Sequence, residues 1–124
     1  MSGAPVASFS GERAEAIVKE MTAQDAHDAW HRGEVNLVDV REAHEHAATH
    51  VAGMPSLPMS ELAARIDELP VGKPLVVMCR SGARSAKVAD FLNGEGRDDE
   101  AINLAGGILA WASAGLPYEG DTPA

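Results

Sequence analysis

Apolar residues along this chain fall into short blocks of two kinds, and their periods separate strands from helices. The stretches 35–40 (VNLVDV), Leu75–Met78 and Ala101–Leu104 are brief aliphatic runs bounded by polar residues, the pattern of strands buried on both faces. Between them the spacing becomes helical. Thr22 is an N-cap with Asp25 in the first turn, and Gly33 stops the helix after His31 and Arg32, which predicts a helix over 23–32. Ser60 caps a second helix with Leu62, Ile66 and Leu69 facing the core, ended by Pro70 and Gly72. Ser85 caps a third over 86–92, closed by Asn93 and Gly94, and Gly106 and Gly107 turn into a fourth that runs through Trp111 to Gly115. Upstream, Ala14, Ile17, Val18 and Met21 stand at i, i+3, i+4, i+7 and predict a helix from Ser10, a short strand over 18–21 being the alternative.

Strands alternating with helices through short connections predict an α/β domain with a mainly parallel sheet. The ligand site of such a sheet lies beyond the carboxyl ends of its strands. Cys79 stands at such an end, after the run Leu75–Met78 and before a helix.

A length of 124 residues with 45% hydrophobic content suits one compact domain, placed at 10–120 behind a flexible tail at 1–9 rich in Ser, Gly, Ala and Pro. The formal net charge of −9 opposes nucleic acid and anionic membrane surfaces as partners. No apolar run approaches the roughly 20 residues that span a bilayer, and residues 1–10 lack the features of a secretion signal, so the expected location is cytoplasmic. With one cysteine, the chain by itself builds neither a disulfide framework nor a Cys-rich zinc site.

The loop Cys79-Arg80-Ser81-Gly82-Ala83-Arg84-Ser85 joins a strand to a helix, where backbone N–H groups converge and the helix dipole is positive. Gly82 lets the backbone curl, and the small side chains of Ser81 and Ala83 leave the amides free to point inward. Arg80 and Arg84 add permanent positive charge, so thiolate is favoured over thiol at Cys79. A cysteine that served only as a small core hydrophobe has no need of such surroundings.

CRSGARS after an apolar strand resembles the active-site loop of the rhodanese family. Three further stretches extend the resemblance over about residues 20–118: LVDVRE at 37–42, HVAGM at 50–54 followed by LPMSEL at 57–62, and NLAGGILAW at 103–111 with GLP at 115–117. The resemblance implies a five-stranded, mostly parallel sheet flanked by helices on both faces. It also implies a sulfurtransferase in which the Cys79 thiolate takes sulfane sulfur from thiosulfate or a persulfide and passes it to a nucleophile such as cyanide or a thiol. In that reading the amides from Arg80 to Ser85 hold the persulfide, Arg80 and Arg84 orient an anionic donor, and no metal or organic cofactor takes part. The partners are a small-molecule donor and acceptor, or a protein persulfide.

Some positions depart from the family pattern. Thr49 and Ala52 replace a usual glycine and proline, Pro55 falls in what should be a short strand, and Glu45 stands where thiosulfate-using two-domain relatives tend to carry an arginine. A tyrosine phosphatase or arsenate reductase-like enzyme is the rival chemistry, but its loop holds five residues between Cys and Arg where four separate Cys79 from Arg84, and Met78 replaces its preceding His. A non-catalytic interaction module of the same fold is the third reading, and such modules often lack the cysteine. Arg41 is a candidate substrate residue beside Asp39, although structural support is the stronger reading of that pair. The pairs His27/His31 and His46/His50 have i, i+4 spacing without the rest of a metal shell, and read as solvated helix faces. Trp30 and Trp111 read as core or groove wall.

Overall fold

Residues 18–124 are described in a computed structural model of the chain. The elements in order are β1 (Glu20–Met21), α1 (Ala23–His31), β2 (Asn36–Asp39), α2 (Ala43–Ala48), β3 (Thr49–His50), β4 (Leu75–Met78), α3 (Ala83–Gly94), β5 (Ala101–Leu104), α4 (Gly107–Ser113) and β6 (Glu119–Gly120), with 3₁₀ turns at Met59–Glu61 and Ile66–Glu68. Four strands form a parallel sheet in the order β1-β5-β4-β2. The central pair β4 and β5 is buried at every residue, which is why both read as unbroken apolar runs.

Alternation along the strands divides the core in two. Leu37, Val76, Met78, Ile102 and Leu104 point to one face and pack with Ala23, Ala26 and Ala29 of α1 and with Ile108 and Trp111 of α4. Val38, Val40, Leu75 and Val77 point to the other and pack with Val88, Ala89 and Leu92 of α3 and with Leu57, Leu62 and Leu69. Helices thus cover both faces, as an all-parallel sheet requires. The alanine stripe of α1 lets that helix lie close to the sheet, and Trp111, fully buried, fills the space beside it while its indole N–H donates to the Pro117 carbonyl at 2.8 Å.

The structure revises four expectations. Residues 18–21 are extended and Glu20–Met21 pairs with Asn103 and Leu104, so the strand alternative holds there; Ser10 to Ile17 and the tail lie outside the described residues. The fifth strand shrinks to one parallel bridge between Asp39 and Ser56, because Pro55 has no N–H to extend a ladder and offers only its carbonyl, to the Asp39 N–H at 2.9 Å. The helix expected after Ser60 is instead two 3₁₀ turns, since the Ser60 hydroxyl donates to Glu42 at 2.6 Å and caps nothing. Ser85 lies inside α3, whose N-cap is Gly82 at φ +100°. An antiparallel ribbon of β3 and β6, unannounced by any periodicity, closes the edge of the domain near α2.

Candidate active site

Cys79 follows β4 directly and is fully buried at the start of α3. Its Sγ accepts from the Gly82 N–H at 3.1 Å and the Ser85 N–H at 3.3 Å, and the Ser85 hydroxyl lies at 3.2 Å. The first N–H groups of a helix have no partner within it. Here the sulfur takes the place of a capping side chain, since Gly82 supplies none. Burial is the largest single influence on the thiol and raises its pKa, yet the donors from Ser85, Gly82 and Ser81 together outweigh it and leave Cys79 below the ordinary thiol range. The loop's hydrogen bonds, more than the arginines, favour the thiolate.

The start of the loop is also held from α4. The carbonyl of Cys79 accepts from the Ile108 N–H at 2.9 Å and that of Arg80 from the Leu109 N–H at 3.2 Å. The Arg80 carbonyl shares its peptide with the Ser81 N–H, so tying that carbonyl outward leaves the Ser81 N–H on the side of the sulfur. Gly107 makes the approach possible: a Cβ there would sit 2.4 Å from the carbonyl oxygens of both Cys79 and Arg80.

Ser85 is held in turn by Asn103 of β5, a residue that the linear reading passed over. The Ser85 hydroxyl lies 2.6 Å from Asn103 Oδ1, while Asn103 Nδ2 donates to the Gly82 carbonyl at 3.1 Å and to Glu20 at 2.9 Å. Both Nδ2 partners are acceptors, so Oδ1 faces Ser85, and the single hydroxyl proton is shared between Asn103 and the sulfur. Replacing Ser85 with alanine therefore shifts the midpoint of iodoacetamide alkylation of Cys79 to higher pH and slows alkylation at neutral pH by about tenfold. An unchanged midpoint would mean that the proton stays with Asn103 and contributes nothing to the thiolate.

The two loop arginines differ. Arg84 forks onto Glu45 of α2, both terminal nitrogens at 2.8 Å from its carboxylate oxygens. Arg80 is exposed, and its Nε donates to the Ala124 main-chain oxygen at 2.6 Å. The fork is the main reason why the Glu45 pKa falls from 4.5 to about 2, helped by the Glu42 N–H against the opposing effect of burial. A folded-state pKa below the unfolded value stabilises the protein above the unfolded pKa and loses that contribution as pH falls through the folded one. Urea titrations of Glu45→Gln are expected to show a shallower loss of stability than wild type between pH 4.5 and about 2. Parallel losses would show that the pair contributes nothing to folding.

Arg41, counted among the candidate substrate residues, is buried and taken up elsewhere. Its guanidinium meets Asp39 at 2.8 Å and the Thr49 carbonyl at 2.6 Å, and reaches the Glu45 carbonyl at 3.4 Å. It fixes the turn that carries Glu45, which is the supporting role. The histidine pairs also depart from solvated helix faces. His27 packs edge-on to Trp111 with ring centroids 5.6 Å apart, and His50, in β3 and not in a helix, stacks on His46 and pairs with Glu119 at 3.0 Å. Among the described residues no three His, Cys, Asp or Glu side chains converge as metal ligands. No described helix is long and apolar enough to cross a membrane. A cleft of about 440 Å³ between α1 and residues 117–119 is lined by Trp30 and Trp111 and by no residue of the Cys79 loop.

A family model of the rhodanese-like domain matches residues 22–114. A sulfurtransferase of Allochromatium vinosum is 40% identical over 84 residues, covering 68% of this chain and 78% of its own length. The thiosulfate sulfurtransferase GlpE of Actinobacillus pleuropneumoniae is 32% identical over 96 residues, 75% of this chain and 88% of its own. Among solved structures, a rhodanese-related protein from Thermoplasma volcanium superposes with a TM-score of 0.73 at 29% identity, over 82% of this chain and 97% of that one. The fold is that of an α/β domain with a cysteine-bearing loop at the carboxyl end of an inner strand. The chain belongs to the rhodanese-like family.

Proposed function

We propose that this protein is a sulfurtransferase that carries sulfane sulfur on Cys79. The observation that supports it most is the placing of Sγ among two backbone amides and a hydroxyl, all within 3.3 Å, at the N-terminus of α3. Such fixed donors hold a thiolate ready for attack and stabilise negative charge on the sulfur it acquires. With thiosulfate, the thiolate attacks the outer sulfur, an Sγ–S bond forms, the S–S bond of the donor breaks, and sulfite leaves with the bonding pair. With a persulfide RSSH, a thiolate RS⁻ leaves instead. The acceptor then takes the outer sulfur: cyanide becomes thiocyanate and the Cys79 thiolate returns.

The amides from Arg80 to Ser85 hold the persulfide, while Arg80 gives an anionic donor its local attraction inside a negatively charged body, the charge of Arg84 being met by Glu45. Arg41 positions the Glu45 turn. No metal or organic cofactor enters this cycle, and we place the protein in the cytoplasm as a soluble enzyme with a small-molecule or protein-borne donor. Thiocyanate formation from cyanide, measured with thiosulfate and with glutathione persulfide beside a generic phosphate ester, tests the reading. Thiocyanate with little ester hydrolysis is the expected result. Hydrolysis without thiocyanate would replace it with phosphatase chemistry, and neither activity would replace it with a binding module.

A further inference from the structure

Beside the loop lies another cavity, of about 370 Å³, bordered among others by the loop's own Arg80, by His44 and Glu45 of α2, by Ile108 and by residues 121–124, of which Ala124 holds the Arg80 Nε. Its lining carries both signs of charge. Arg80 has its Nε on a main-chain oxygen, and its terminal nitrogens meet no acceptor among the described residues. Opposite in sign, the exposed Asp121 carboxylate makes no ion pair or hydrogen bond among them either; only its backbone is engaged, the N–H with the Ala48 carbonyl and the carbonyl with the Thr49 hydroxyl. The remaining cation near the thiolate, Arg84, is already neutralised by Glu45. A dianion that enters here meets the two uncommitted nitrogens of one guanidinium and the carboxylate of Asp121, Glu45 being spent on Arg84.

We propose that this cavity is the subsite for the head of a zwitterionic amino-acid thiol persulfide, its carboxylate on the terminal nitrogens of Arg80 and its ammonium on Asp121, which makes such a persulfide the preferred sulfur donor. The proposal rests on the sulfur-transfer reading of Cys79 and narrows its substrate. Ile108 and Arg80 connect the cavity to the nucleophile, since the Ile108 N–H holds the Cys79 carbonyl and Arg80 follows Cys79 in the chain. For a donor anchored by its amino-acid head to react, its outer sulfur has to reach Sγ from this side of the loop. Cys79 attacks the outer sulfur, the donor's S–S bond breaks, and the amino-acid thiolate leaves while the outer proton travels with the transferred sulfur. There is no net oxidation or reduction.

Three persulfides separate the contributions: that of cysteine, that of cysteamine, which lacks the carboxylate, and that of 3-mercaptopropionate, which lacks the ammonium. Persulfide formation on Cys79 is read by intact mass in single turnovers, and kcat/KM by thiocyanate release. Wild type is expected to favour cysteine persulfide over each truncated donor by about fivefold, the size of one solvent-accessible ion pair. Arg80→Gln is expected to erase the advantage over cysteamine persulfide alone, and Asp121→Asn the advantage over 3-mercaptopropionate persulfide alone, because each variant removes the partner of one missing group. Equal rates with all three donors, or variants that leave the ranking unmoved, would overturn the subsite while sulfur transfer stands. Charging of Cys79 by thiosulfate in preference to cysteine persulfide would do the same. If no donor charges Cys79, the sulfur-transfer reading itself fails.

Discussion

Cys79→Ser is expected to abolish cyanide-dependent thiocyanate formation with every donor, a loss on the order of a thousandfold or more. The reason is specific to sulfur. A serine hydroxyl stays protonated at neutral pH, and the cradle's amide donors, which tip a thiol toward its anion, are far too weak to ionise an alcohol. An oxygen nucleophile would also have to form an O–S bond in place of a disulfide-like one, which removes the carrier state altogether. The exchange is close to isosteric, so the fold should persist, and a thermal melt close to wild type separates lost chemistry from lost structure. Substantial thiocyanate from a folded Cys79→Ser protein would move the reaction to another site and sink the proposed mechanism.

The parts of the molecule that could be read in the sequence are those that local chemistry decides. β4 and β5 match the predicted runs residue for residue, because a strand buried on both faces leaves a continuous apolar signature. The first helix was legible from its cap: the Thr22 hydroxyl does accept the Asp25 N–H, at 3.1 Å. Between Ser60 and Leu69 the same logic misled, since Leu62 and Leu69 reach the core from two separate 3₁₀ turns, and a spacing of three residues, as from Ile66 to Leu69, shares a face in a 3₁₀ turn as it does in an α-helix. The Cys79 loop was legible as a string, but its partners were not. Glu45 reaches Arg84 from another helix, and Asn103 reaches Ser85 from the neighbouring strand. Neither pairing leaves a spacing rule in the chain, for both depend on how β2, β4 and β5 lie side by side. Two-residue strands such as β3 and β6 are too short for any period to announce them.

Gly107→Ala is expected to do the largest damage of any single methyl group near the site. The residue has φ +59°, which alone costs an alanine about 1–2 kcal/mol, and its Cβ would stand 2.4 Å from two carbonyl oxygens of the catalytic loop, which are backbone and cannot swing aside. The total should reach about 2–4 kcal/mol of stability, since the main chain itself has to move. The functional effect should exceed the structural one. The carbonyls that would be pushed are those of Cys79 and Arg80, whose bonds to the N–H groups of Ile108 and Leu109 hold the start of the loop and keep the Ser81 N–H on the side of the sulfur. Displacing them weakens the cradle, so alkylation of Cys79 should need a higher pH even at temperatures where the variant is fully folded. Gly115→Ala provides the comparison, because its φ of +77° carries a similar conformational cost while nothing lies within 4 Å of the added methyl. If the two variants lose equal stability and equal thiolate reactivity, the close approach of α4 to the loop is not what organises the site, and the amides must owe their inward aim to the loop alone.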